Sequence, residues 1–228
     1  MCYRNDAGAG AGEDASVDNV AMHSQGAGSD AEVGRSALAG TNPSLAVDAA
    51  TGDALAIWGT SDGQGGLWTS SFIATTNHWA TATKFPTAPS QSAKDGRVKL
   101  DSKGSGFALW GAQKEGDSSN ALWTSRFDAA TGFGEPRAQP TTDQRLISSK
   151  AIAFRANGSA FAIWDHYGPG YAVWAAQYDG TTRDWRKPVL IYSDPREYIQ
   201  DLQITVDSEG TARAFWLFER AAWTAVFN

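Results

Sequence analysis

Large apolar residues fall in short runs along this chain, each bounded by Gly, Asp, Asn or Ser, and the runs recur. Four segments superpose directly: GDALAIW (Gly52–Trp58), GSGFALW (Gly104–Trp110), GSAFAIW (Gly158–Trp164) and GTARAFW (Gly210–Trp216). Their tryptophans stand 52, 54 and 52 residues apart. Upstream of each lies an apolar run, LAVD, VKLD, IAFR and ITVD, the last covering Ile204–Asp207. Downstream lie LWTSSF, LWTSRF, VWAAQY and AWTAVF, beginning at Leu67, Leu122, Val173 and Ala222. In the first three copies a further aromatic (Trp79, Phe133, Trp185) and a proline-bearing segment (Pro86, Pro136, Pro188) follow. Period-two alternation in short runs separated by turn residues predicts strands, about four per copy.

The second run of each copy has two distinct faces. One carries Leu55 and Ile57, Phe107 and Leu109, Phe161 and Ile163, or Arg213 and Phe215. The other carries only Ala or Gly before its Trp. Bulk on one face and shallowness on the other is what face-to-face stacking of successive sheets requires. A repeat of this length with four strands falls within the range of propeller blades. The predicted fold is therefore all-β: a β-propeller of four roughly 52-residue, four-stranded blades over residues 33–228. The fourth copy stops after its third strand, so Val33–Leu38 is predicted to pair with it and close the ring. The other reading is a larger ring, completed by further sequence or a second chain.

Composition adds a tail and removes some functions. Residues 1–32 are rich in Gly, Ala and Asp and nearly free of large apolar side chains. Such a segment cannot offset its ordering entropy and is predicted to be a disordered tether. Of the net charge of −6, −4 falls on residues 1–40, so the remainder is near neutral and offers no basic stripe for nucleic acid. No apolar run approaches the length of a membrane span. The single cysteine, Cys2, excludes an internal disulfide. A cysteine there, followed by a Gly/Ala/Asp/Ser-rich stretch, resembles the lipidated first residue of a mature bacterial lipoprotein, its signal peptide removed and Met1 an added start. The alternative is an ordinary exposed thiol. On the first reading the protein is exported to the bacterial cell envelope, with a lipid on Cys2 as its only membrane contact.

The order of an apolar strand ending in Asp, a Gly turn, an alternating strand ending in Trp and a polar loop resembles the sialidase-like (BNR-type) propeller repeats. It is also similar to repeats of exported bacterial propeller lipoproteins. The resemblance covers residues 43–228. The nearest approach to an Asp box, Ser61–Trp68, sets its Asp one place early, and the other copies lack it. The resemblance implies a propeller fold. The arginine triad and Tyr/Glu nucleophile pair of a sialidase cannot be placed on this sequence residue by residue.

The copies differ most between the second and third strands: 59–66, 111–120, 165–170 and 217–220. In a propeller these loops share one face of the ring, and loops on a rigid scaffold are where binding resides. The candidate binding residues are Asp62, Lys114, Glu115, Asp165, His166, Tyr167, Glu219 and Arg220. Asp165-His166 has no Ser or Cys nucleophile paired with it, so no catalytic residue is assigned. Asp48, Asp101 and Asp207 recur at one register, three or four residues before a Gly. They are read as turn caps in preference to metal ligands, and no cofactor is expected. The expected function is a non-catalytic propeller presenting its loop-rich face to a glycan or protein, as a monomer or self-completing dimer. The alternatives are a divergent sialidase-like glycoside hydrolase and a purely structural envelope lipoprotein.

Overall fold

A computed structural model describes residues 40–60, 66–87, 93–113, 120–139, 147–168, 170–195, 199–218 and 221–227. Among them every regular element is a strand. Sheet 1 comprises β1 (Gly40–Val47), β2 (Ala54–Thr60), β3 (Leu67–Ile73), β4 (His78–Trp79) and β5 (Thr83–Lys84). Sheet 2 comprises β6 (Ala93–Leu100), β7 (Gly106–Gln113), β8 (Asn120–Asp128), β9 (Gly132–Phe133) and β10 (Arg137–Gln139). Sheet 3 comprises β11 (Lys150–Phe154), β12 (Ala160–Gly168), β13 (Gly170–Asp179), β14 (Asp184–Trp185) and β15 (Val189–Asp194). Sheet 4 comprises β16 (Gln200–Val206), β17 (Ala212–Phe218) and β18 (Ala221–Phe227).

Each sheet is an antiparallel meander in chain order, as the four sequence copies predict. The outermost strand of sheets 1–3 is in two pieces, both pairing with the third strand. In sheets 2 and 3 the break spans Pro136 and Pro188, which have no N–H to give a ladder. Sheet 4 has three strands among the described residues. The strand expected at Val33–Leu38 and the tail with Cys2 lie outside the described residues.

The turn between first and second strands is built four times on a left-handed glycine: Gly52, Gly104, Gly158 and Gly210 have φ of 78°, 73°, 84° and 87°. That region suits a residue without Cβ. The Asp before three of these turns caps it. Asp101 Oδ1 accepts from the amides of Lys103 (2.8 Å) and Ser105 (3.0 Å), and Asp207 Oδ1 from those of Glu209 (3.0 Å) and Thr211 (2.9 Å). Asp48 Oδ1 accepts from Ala50 N at 2.9 Å. The third copy has Arg155 instead. There Asn157 Oδ1 accepts from Ser159 N (2.9 Å), which frees Arg155 Nε to donate to Gly210 O of the next sheet at 2.6 Å.

Large-on-small packing holds the sheets together. Leu55 and Ile57 of sheet 1 pack with Ala108, Trp110 and Ala112 of sheet 2. Phe107 and Leu109 of sheet 2 pack with Ala160, Ala162 and Trp164 of sheet 3. Ile163 of sheet 3 packs with Ala214 and Trp216 of sheet 4. The repeat tryptophans are core, and each sits directly across from a second one: Trp58 and Trp68, Trp110 and Trp123, Trp164 and Trp174, Trp216 and Trp223. Three core clusters join four sheets in succession. Among the described residues no such cluster joins sheet 4 to sheet 1.

Candidate functional sites

The innermost strands β1, β6, β11 and β16 all begin at the end where β2, β7, β12 and β17 finish, so their first residues gather at one axial end. Three of them carry an Asx residue in the left-handed region at the same repeat position: Asn42, Asp95 and Asp201, with φ of 48°, 52° and 51°. Each sits within a register shift of its strand pair. Asn and Asp tolerate this conformation better than other side chains. The Asn42 amide donates to the Asp95 carboxylate, linking sheets 1 and 2 at this point.

Sheet 3 departs from that pattern. Ser149 holds the corresponding place, and β11 pairs with β12 without a shift. The cause is Asp165. Its Oδ1 accepts from Ser148 N (3.0 Å) and Ser149 N (2.7 Å), and its Oδ2 from Ser148 Oγ (2.8 Å). Sheets 1 and 2 have Gly59 and Gly111 at the position of Asp165, and a Cβ on Gly59 would stand 2.8 Å from Thr41 Oγ1. Beside Asp165 the Lys150 side chain is buried, and burial lowers its pKa from 10.5 to about 8. Asp95 and Asp165 oppose that shift and Arg97 reinforces it. The axial end therefore concentrates Asn42, Asp95, Arg97, Lys150 and Asp165.

The segment 165–170, expected as a loop, is instead a continuation of the β12–β13 hairpin, paired out to Gly168 and Gly170. Consecutive strand residues point to opposite faces, so Asp165 and His166 form no dyad. His166 is buried and its Nε2 accepts from Trp164 Nε1 at 3.2 Å. Tyr167 is exposed, its ring 5.7 Å from that of Tyr171. Asp62, Lys114, Glu115, Glu219 and Arg220 lie outside the described residues.

A second location was not singled out from sequence. A cleft of about 340 Å³ opens between sheets 2 and 3, lined by Arg126, Arg137, Arg183 and Glu135 over Phe107, Tyr178 and Trp185. The three rings pack on one another at centroid separations of 4.7–5.4 Å. Arg126 lies 5.6 Å from the Tyr178 ring and donates to its hydroxyl at 3.3 Å. Arg137 pairs with Asp184 at 3.1 Å. Arg183 is at φ 56°, the turn position held by Asn77 (φ 50°) in sheet 1; in sheet 2, whose turn is one residue shorter, the left-handed residue is Gly132 (φ 77°), one ladder place later. A long side chain in the left-handed region costs on the order of 1 kcal/mol. That mismatch with the other copies is the signal the sequence carried; the meeting of Arg126, Arg137 and Arg183 was not legible, since it depends on how two sheets pack.

This arrangement of sheets occurs in solved structures of low sequence identity. A sialidase, Hadza microbial sialidase Hz136, superposes with a TM-score of 0.60 at 14% identity over 82% of this chain and 44% of its own. A protein of unknown function from Dyadobacter fermentans gives 0.59 at 10% identity, over 82% and 63%. A polysaccharide lyase, an ulvan lyase bound to -[GlcA(1-4)Rha3S]-, gives 0.54 at 9% identity, over 82% and 55%. The fold is propeller-like, of the kind seen in glycan-active proteins. The chain spans roughly half the length of these structures. No family model and no curated protein matches it.

Proposed function

We propose that this protein binds anionic glycans, and that the cleft between sheets 2 and 3 receives an acidic sugar residue. The observation carrying the reading is three arginines lining one concave site beside the part-exposed ring of Trp185, with Phe107 and Tyr178 buried beneath it. Aromatic rings stack on the C–H faces of sugars, and guanidinium forks match carboxylate and sulfate geometry. The cleft volume lies at the small end of the range for ligand sites and suits one sugar residue. The ulvan lyase sharing the fold carries an anionic saccharide in its own structure, and a glycan-binding role fits an exported protein.

The test is fluorescence titration with oligoglucuronate, oligogalacturonate and a neutral oligosaccharide. Acidic oligomers should bind and neutral ones should not. Arg183 sits in the left-handed region, which glycine adopts without cost, so Arg183→Gly keeps the turn while removing one guanidinium. Loss of one charge-assisted hydrogen bond of about 1.5–3 kcal/mol weakens binding at least tenfold. Equal affinity of Arg183→Gly and the unaltered chain for the acidic oligomer would sink the proposal.

A second reading, a divergent glycoside hydrolase working at the axial end, is favoured by the glycan-active proteins that share the fold. Such an enzyme uses two carboxyl groups across the scissile bond. Asp95 and Asp201 are the described axial carboxylates open to that role, since Asp165 is committed to three hydrogen bonds. Release of sugar from a panel of reporter glycosides, lost in both Asp95→Asn and Asp201→Asn, would establish this reading.

A further inference from the structure

We infer that the two end faces of the sheet array are halves of one interface, and that they are filled by a second copy of this chain packed head to tail. The same repeat position is covered in some sheets and open in others. Ile57, Leu109 and Ile163 on the large faces of sheets 1–3 are each 0% exposed, because the next sheet lies over them. Phe215, their counterpart in sheet 4, is 40% exposed, and Val226 on the same face is 57% exposed. Ala222 and Thr224 beside them are exposed, whereas the corresponding Leu67, Leu122, Val173, Thr69, Thr124 and Ala175 are buried.

The opposite end shows the reciprocal defect. Val98 and Ile152, on the shallow faces of sheets 2 and 3, are 5% and 7% exposed under the preceding sheet. Their counterpart in sheet 1, Leu45, is 60% exposed, and its neighbour Val47 56%. Among the described residues, one end thus has no following sheet over it and the other no preceding sheet. The missing partner of each is a surface of the kind the other presents, and the interface that would join them is already made three times within the chain. Exposed apolar patches of this sort mark association surfaces.

The large apolar side chains of residues 1–39 are scattered along the sequence, with Leu38 the only leucine. A second copy offers both missing surfaces at once. The contact between copies is heterologous, with different patches meeting, and a pair closes when each copy's sheet 4 covers the other's sheet 1.

Heterologous pairing gives a complementation test by sedimentation velocity on the full chain. The unaltered chain should sediment as a dimer. Phe215→Glu removes the large face and Leu45→Glu the shallow one. Both positions are exposed within a single copy, so each variant should fold and run as a monomer with an unaltered far-ultraviolet spectrum. Mixed in equal amounts, the two variants should form a heterodimer, because each keeps the half the other has lost. A wild-type monomer at roughly 100 µM, far above the Kd of a stable interface, overturns the inference. So does a dimer that either single variant leaves intact, or one the mixture fails to restore.

Discussion

Asp165 separates two accounts of the same residue. As a member of a ligand-binding face, its removal would change affinity and leave the fold alone. In the structure it is buried and holds the start of β11 through two backbone amides and the Ser148 hydroxyl. Asp165→Ala leaves those three donors without their acceptor. An orphaned buried donor costs about 1–3 kcal/mol. The hydroxyl can turn elsewhere and the two amides cannot, so a loss of about 3 kcal/mol is expected. For a domain of this size each kcal/mol lowers Tm by about 2–4 °C, which puts the shift at about 6–12 °C. Asp165→Asn keeps one carbonyl acceptor and should lose about half as much.

Thermal melts followed by tryptophan fluorescence give the first number, and hydrogen exchange of a peptide spanning 147–154 gives the location. In Asp165→Ala the Ser148 and Ser149 amides should lose protection while β6 and β7 keep theirs. A melting temperature within about 2 °C of the unaltered chain would refute the account and return Asp165 to the binding face.

Two other expectations follow from burial. Lys150 is held at a pKa of about 8 against 10.5 when unfolded, so between these values the unfolded chain binds more protons and stability rises with pH. The full swing is about 3 kcal/mol; urea titrations at pH 7 and pH 10.5 should show it in the unaltered chain and not in Lys150→Met. Leu109→Ala, inside the interface of sheets 2 and 3, should cost about 3 kcal/mol. Phe215→Ala, at the equivalent position on the open end, should cost under about 1 kcal/mol when measured in the monomeric Leu45→Glu background, and a similar loss at both positions would contradict an open end.

The sequence was most informative where one physical constraint repeats. Alternating bulk in Gly52–Trp58 and its three counterparts revealed both the strands and the direction in which the sheets stack. The Gly turns and their Asp caps were legible because turn chemistry is local, confined to four or five consecutive residues. The extent of the β12–β13 hairpin was not: His166, Tyr167 and Gly168 look like loop residues, and only pairing with Ala172, Tyr171 and Gly170 makes them strand. Asp165 was misplaced for a related reason. Its partners lie 16 and 17 residues upstream, on the neighbouring strand, and a polar residue after a Trp reads as solvent-facing until that strand is in view.

The exceptions to the repeat are not scattered evenly. Sheet 3 has Arg155 where the other copies have Asp, and Asp165 where sheets 1 and 2 have Gly. Lys150 stands where sheets 1, 2 and 4 have Pro43, Gly96 and Leu202, and Arg183 where sheet 1 has Asn77. A repeat that only had to stack would gain nothing from these changes. A buried lysine and a left-handed arginine each cost free energy relative to what the neighbouring copies use. Asp165 offsets part of the first cost, since its charge raises the Lys150 pKa against the effect of burial. Sheet 3 also borders the cleft and carries the longest paired hairpin, with Tyr167 exposed near its tip. Substitutions that cost free energy without improving the stacking are the physical reason to place recognition at sheet 3 and stacking at the two ends.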